Sequence, residues 1–145
     1  MGGDITMSYS KTIQDMTGLF NNHDTKNLVA QYADNAVIHD PLYPEPLRGK
    51  AAIEKDWVEF LRSFPDIKSE IRTIVESDNT VATEYFMRGT NTGPVVTPEG
   101  ELPATGKKME IGAGIFSRFD ENGKIVEEHR YYNVADLMEQ LGFTQ

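Results

Sequence analysis

IKSEIRTIVESDNTVATEYFMRGTNT, residues 67–92, sets the class of fold. β-Branched and aromatic residues crowd it, and Asp78-Asn79 interrupts them where a tight turn would reverse the chain. The stretch predicts a hairpin with strands from Ile67 to Ser77 and from Thr80 to Thr92. Toward the C-terminus the strand period returns. Lys108 to Asp120 and Lys124 to Asn133 flank Glu121-Asn122-Gly123, whose Asn-Gly is a second hairpin signal. Between the hairpins, Thr92 to Lys107 holds three prolines and three glycines and predicts an exposed loop. Val134 to Leu141 predicts a short closing helix before Gly142.

Toward the N-terminus the period is helical. Ile13, Met16, Leu19 and Phe20 recur at helical spacing, and Asn21-Asn22-His23 ends that run. Asp24 is placed to cap a second short helix carrying Leu28, Val29 and Tyr32. Asn35 to Asp40 predicts the first strand. Lys50 to Ser63 predicts a helix with Ile53, Trp57, Phe60 and Leu61 on one face, stopped by Pro65. Helices ahead of a long meander, without strand and helix alternating, is an α+β order. A curved antiparallel sheet with helices on one face buries both apolar surfaces and leaves a cavity between them. Residues 1–145 suffice for one domain with a sizeable core, and they contain no internal repeat.

Composition narrows the function. With 23 acidic against 14 basic side chains the formal charge is -9, which repels nucleic acid and anionic membrane surfaces. The absence of cysteine removes disulfides, thiolate nucleophiles and the common structural zinc sites. With no apolar run long enough to cross a bilayer and no secretory leader pattern at Met1-Gly2-Gly3-Asp4, the expectation is a soluble, cytoplasmic protein.

The chemistry concentrates around Val37-Ile38-His39-Asp40-Pro41-Leu42-Tyr43-Pro44-Glu45-Pro46, where an apolar run meets a His-Asp pair and a turn stiffened by proline. In an apolar cavity Asp40 would suit a general base acting beside a carbonyl. Alternatively it binds local backbone N–H groups before Pro41. His39 points away from Asp40 if the strand is regular, so only one of the two would face the cavity. In the last strand, alternation groups Ile125, Glu127, His129, Tyr131 and Asn133 on one face, the expected cavity face. It sets Val126, Glu128, Arg130 and Tyr132 on the other. His129 could act as an acid/base near neutral pH, or pair with Glu127 or pack among aromatics. Trp57, Phe60, Phe64, Tyr85 and Met87 form a candidate apolar lining. His23, His39 and His129 lie on separate elements without ligand spacing, so no metal site is expected. No glycine loop for phosphate and no serine or cysteine nucleophile motif is present.

Taken in order, several segments resemble the SnoaL-like polyketide cyclases of the nuclear transport factor two (NTF2-like) superfamily. They are Val37 to Lys50, Arg48-Gly49-Lys50-Ala51-Ala52-Ile53, Phe64-Pro65-Asp66-Ile67, Arg88-Gly89-Thr90-Asn91-Thr92-Gly93, Ala104-Thr105-Gly106-Lys107, Gly123-Lys124-Ile125-Val126-Glu127-Glu128 and Gln140-Leu141-Gly142. The resemblance implies a cone of strongly curved antiparallel or mixed sheet with N-terminal helices enclosing a pocket. It also implies aldol-type ring closure on a polyketide-like ligand without metal or organic cofactor, and a homodimer formed through the outer face of the sheet. Phe86, Phe116 and Tyr132 are the aromatics expected on that outer face. The cyclase acid/base aspartate would fall on Asn133, an amide that can bind a carbonyl oxygen but cannot exchange a proton. The opening segment also resembles the steroid isomerases, whose base would fall on Asp40 and whose two oxygen-holding donors would fall on Met16 and Ile115, neither of which can donate.

The expected activity is therefore a cyclase-like or isomerase-like proton transfer next to a carbonyl in a small apolar substrate. Asp40 and His129 would be the acid/base groups, with Asn133, Tyr131 and His39 as polar contacts. A non-catalytic small-molecule-binding module on the same fold is the alternative. An epoxide-opening hydrolase would need a connected aspartate-arginine-aspartate set, and alternation brings neither Arg88 nor Arg118 to Asp40.

Overall fold

In the computed structural model, which describes residues 8–143, the Ser8 hydroxyl accepts from the Lys11 N–H and starts helix α1 (Tyr9–Asn21). Asp24 caps α2 (Thr25–Val29) through the Asn27 N–H. Tyr32, expected in that helix, instead opens strand β1 (Tyr32–His39), because its pairing with Ile125 outweighs the local helical period. A two-residue strand β2 (Leu47–Arg48) leads into α3 (Lys50–Ser63), which stops where Phe64 leaves helical angles ahead of Pro65.

The predicted hairpin is β3 (Lys68–Ser77) and β4 (Thr80–Thr90), with Asp78 at φ 53° in the turn. After the small strands β5 (Val95–Thr97) and β6 (Gly100–Leu102) come β7 (Lys108–Phe119), β8 (Ile125–Tyr131) and helix α4 (Val134–Gln140). One six-stranded sheet runs β2-β1-β8-β7-β4-β3, and β5 and β6 form a separate hairpin. Every neighbour in the large sheet is antiparallel except β1 and β8, which are parallel. The sheet is thus mixed, because the chain lays its last strand beside its first.

Bulges supply the curvature. Arg72 is the extra residue in β3, Val126 is the extra residue in β8, and the pairing of β1 slips between Tyr32 and Val37. The concave face carries the core against α1 and α3, with Ile13, Phe20, Ile38, Ile53, Met109 and Ile125 all buried.

The segment after β4 is exposed over much of its length, as its prolines and glycines predict, but it is pinned at both ends and carries the β5–β6 hairpin. Asn91, 0% exposed, donates through Nδ2 to the carbonyls of Ser63 at 3.1 Å and Gly93 at 2.9 Å. Its Oδ1 accepts from the Thr105 N–H at 2.8 Å and the Thr105 hydroxyl at 3.0 Å. One amide thus ties both ends of the segment to the end of α3, and Val95 is buried beneath it. Gly93 passes so close to α3 that a Cβ there would collide with the Arg62 carbonyl. Among the described residues no helix is long and apolar enough to cross a membrane.

Candidate functional site

Between the helices and the concave face lies a cavity of about 160 Å³. Phe20, Trp57, Phe60, Phe64, Tyr85 and Met87 supply much of its apolar wall. Trp57 and Phe60 come from α3, whose apolar stripe points into the cone, while Phe20 comes from α1 and Tyr85 and Met87 are alternate residues of β4. Burial holds the Tyr85 phenol up at about 12, so it enters chemistry near neutral pH as a donor.

The cavity's polar groups converge on Arg130 of β8, whose side chain is 8% exposed. Its Nη1 donates to Asp40 Oδ2 at 3.0 Å and to Asp56 Oδ2 at 2.9 Å, and its Nε donates to Glu128 Oε2 at 2.7 Å. The guanidinium lies over the Trp57 ring, 4.8 Å from its centroid. Three tyrosines complete the set. Tyr132 donates to Asp40 Oδ1 at 2.6 Å, Tyr43 to Asp56 Oδ1 at 3.3 Å and Tyr32 to Glu128 Oε1 at 2.7 Å. Asp40 also accepts from the Leu42 N–H at 2.9 Å, so both sequence readings of it hold together: local turn bond and cavity carboxylate.

Three carboxylates around one guanidinium cannot all be equally content with charge. Burial pushes the Asp56 carboxyl above the usual carboxylate range, although Arg130 opposes the shift. Burial works to lower the Arg130 guanidinium, but Glu128 and Asp56 outweigh it and raise it further. Burial and the neighbouring carboxylates, Asp56 for Tyr43 and Asp40 for Tyr132, push both phenols well up, so each remains a donor. Two buried donors on cavity-lining residues, Arg130 Nη2 and Trp57 Nε1, have no partner within the described chain. Each unpaired buried N–H is costly, and an acceptor oxygen is the kind of group that would satisfy either one. The arrangement thus offers carboxylates for proton transfer and donors for a developing negative charge.

The structure separates the sequence-predicted residues into two groups. Asp40, Trp57, Phe60, Phe64, Tyr85 and Met87 line the cavity. His39, His129 and Tyr131 do not: His39 and His129 stack on the outer face with centroids 4.2 Å apart, and Tyr131 is 58% exposed. Asn133 caps α4 by accepting from the Asp136 N–H. The bulge at Val126 explains the reversal. Simple alternation from buried Ile125 carries His129 inward, but one extra residue turns Glu128, Arg130 and Tyr132 inward instead. Tyr132 is accordingly a cavity residue and not an outer-face aromatic.

Sequence reasoning also passed over Asp56 and the arginine bridge. Asp56 was findable, because Ile53, Asp56, Trp57 and Phe60 follow the spacing of a buried helical stripe, and an aspartate within such a stripe needs a partner. Arg130 joins Asp40 to Asp56, giving the connected set that neither Arg88 nor Arg118 supplies. The positions of the two steroid-isomerase donors, Met16 and Ile115, do border the cavity, and neither side chain can donate.

Comparison with known proteins agrees with this fold. The family model described as SnoaL-like polyketide cyclase matches residues 11–141. Wild-type IdmH of Streptomyces antibioticus, a candidate polyketide cyclase, is 29% identical, with a TM-score of 0.74 over 94% of this chain and 99% of that one. A candidate polyketide cyclase of Pseudomonas putida KT2440 is 22% identical, with a TM-score of 0.77 over 94% of this chain and 100% of its own. AclR of Streptomyces galilaeus, a candidate hydroxylase, is 20% identical, with a TM-score of 0.79 over 94% of this chain and 97% of its own. No curated protein matches the sequence.

Proposed function

Because the chain belongs to the SnoaL-like polyketide cyclase family, we propose that it closes a ring in a small, largely apolar, polyketide-like substrate by cofactor-free proton transfer next to a carbonyl. The observation that carries this reading is the buried Asp40–Arg130–Asp56 bridge in an apolar cavity, beside two donors without partners. Asp40 takes the proton from the carbon next to a substrate carbonyl, and the C–H electron pair becomes the enolate. Arg130 Nη2 and Trp57 Nε1 hold the enolate oxygen. The enolate carbon then bonds to a second carbonyl carbon, whose oxygen takes the proton of Asp56. Exchange with solvent returns the proton from Asp40 to Asp56. The acid role expected of His129 thus passes to Asp56, whose raised pKa suits it.

The test is solvent exchange with a poly-β-ketone ester in D2O. Wild-type protein is expected to speed deuterium incorporation at the activated carbon above the protein-free rate and to form cyclic product, and Asp40→Asn to do neither while still binding. Undiminished exchange in Asp40→Asn would remove Asp40 from the mechanism. Tight binding by wild type with neither exchange nor product would leave a non-catalytic binding module.

A second reading is favoured by the arginine bridge itself: Asp40 deprotonates a hydroxyl or water that opens an epoxide, and Asp56 protonates the leaving oxygen. Epoxide turnover without deuterium exchange on the keto ester would select it. As to assembly, the exposed outer face of the sheet supports a homodimer. Phe116 and Tyr131, 49% and 58% exposed, meet there edge to face at 6.0 Å.

A further inference from the structure

On the convex face, opposite the cavity, the parallel register of β1 and β8 sets His39 directly beside His129. Their imidazoles stack with planes 7° apart. Both Nε2 atoms face a single carboxylate oxygen, Glu127 Oε2, each at 3.3 Å. One ligand atom from each of the three residues falls within 4.8 Å of the other two. Glu127 and His129 are close in sequence, but His39 is 88 residues from Glu127, which is why spacing gave no hint of a metal site. The strand pairing brings them together.

We propose that His39, Glu127 and His129 bind a divalent transition-metal ion of the zinc type. Zinc takes imidazole nitrogen at about 2.0–2.1 Å and carboxylate oxygen at about 2.0–2.2 Å in tetrahedral geometry, which sets neighbouring ligand atoms about 3.3 Å apart. The two Nε2 to Oε2 separations match that edge. Two imidazoles with one carboxylate favour zinc, nickel or copper over magnesium and calcium, which prefer all-oxygen shells. Arg118 Nη2 donates to Glu127 Oε1 at 3.1 Å and so aims the other oxygen at the two rings, as outer hydrogen bonds do for metal-binding carboxylates. Arg118 and Arg48 border the same shallow groove and oppose a cation there; Glu127 and the net charge of -9 act the other way. Three protein ligands leave the fourth position to solvent. The side chains are 34–41% exposed, so an ion can enter without rearranging the core.

The site is independent of the proposed cyclase chemistry, and so is its test. Zinc chloride titrated into the untagged full chain, followed by calorimetry, is expected to bind at one ion per chain. In NMR spectra the imidazole signals of His39 and His129 should shift while those of His23 stay. Magnesium at the same concentration should neither bind nor compete. His39→Ala, His129→Ala and Glu127→Gln are each expected to weaken zinc binding at least about tenfold, with circular dichroism unchanged. Zinc should raise the melting temperature of wild type and not that of the double variant His39→Ala/His129→Ala. Equal zinc affinity in wild type and the double variant, or inorganic phosphate binding in the groove in place of zinc, overturns the proposal.

Discussion

Asp56 is the carboxylate whose charge this fold tolerates least, and its titration should be visible in stability. Its folded pKa lies above the unfolded one, so the native state holds the proton more tightly. That contribution is fully present below the unfolded value and is lost as pH rises through the folded one. Asp56→Asn keeps the shape and removes the charge, so thermal melts between pH 4 and 8 should show a flatter profile and no loss of stability at pH 7. Its turnover should nevertheless fall roughly 10²–10⁴-fold, the size of a lost general acid. Arg130 behaves oppositely. Arg130→Met would leave three buried carboxylates without their cation, and urea titration should show a loss of about 3–5 kcal/mol. Of this cluster Asp40 was legible in the sequence, through its place before Pro41 at a strand end, and Asp56 was findable within the apolar stripe of α3. Arg130 was hidden because its inward direction depends on the extra residue Val126, and no local pattern announces a bulge.

Elements whose own residues dictate their limits were legible, and those pinned from elsewhere were not. Helix α3 runs over the predicted residues because its apolar stripe, the glycine before it and Pro65 after it agree. The 92–107 segment shows the opposite case. Its composition reads as loop, yet Asn91, buried in the preceding turn, fastens it over the cavity. Asn91→Ala removes both donors and the acceptor at once, leaving the Gly93 carbonyl and the Thr105 N–H without their partner. The expected cost is about 3 kcal/mol in urea titration, with new protease cleavage between Gly93 and Gly106. Gly93→Ala, which presses on the Arg62 carbonyl, should destabilise by about 1–3 kcal/mol. Wild-type protease resistance in both variants would show that the segment is held by something other than this seam.

In the molecule as a whole, the α+β class was readable from period alone, while the mixed sheet required knowing that β8 returns to β1. The same return creates the convex face on which Phe116 and Tyr131 stand exposed. If that face joins two copies, sedimentation at micromolar concentration should give a dimer for wild type and a monomer for Phe116→Glu, with the cavity intact. The parallel pairing of β1 with β8 has a further consequence, in the order of folding. Asp40 and Arg130 are 90 residues apart, as Tyr32 and Glu128 are 96 apart, so closing them carries the largest loop entropy in the chain. The hairpins and helices can form earlier from near neighbours. Trp57, the single tryptophan, lies against Arg130 and is therefore a built-in reporter of that closure. Its fluorescence should change in the slowest refolding phase, after most helical signal has returned. During synthesis, a chain released before residue 130 would carry Asp40 and Asp56 without the arginine that joins them. The charged bridge across the cavity is the last part of this molecule to come into being.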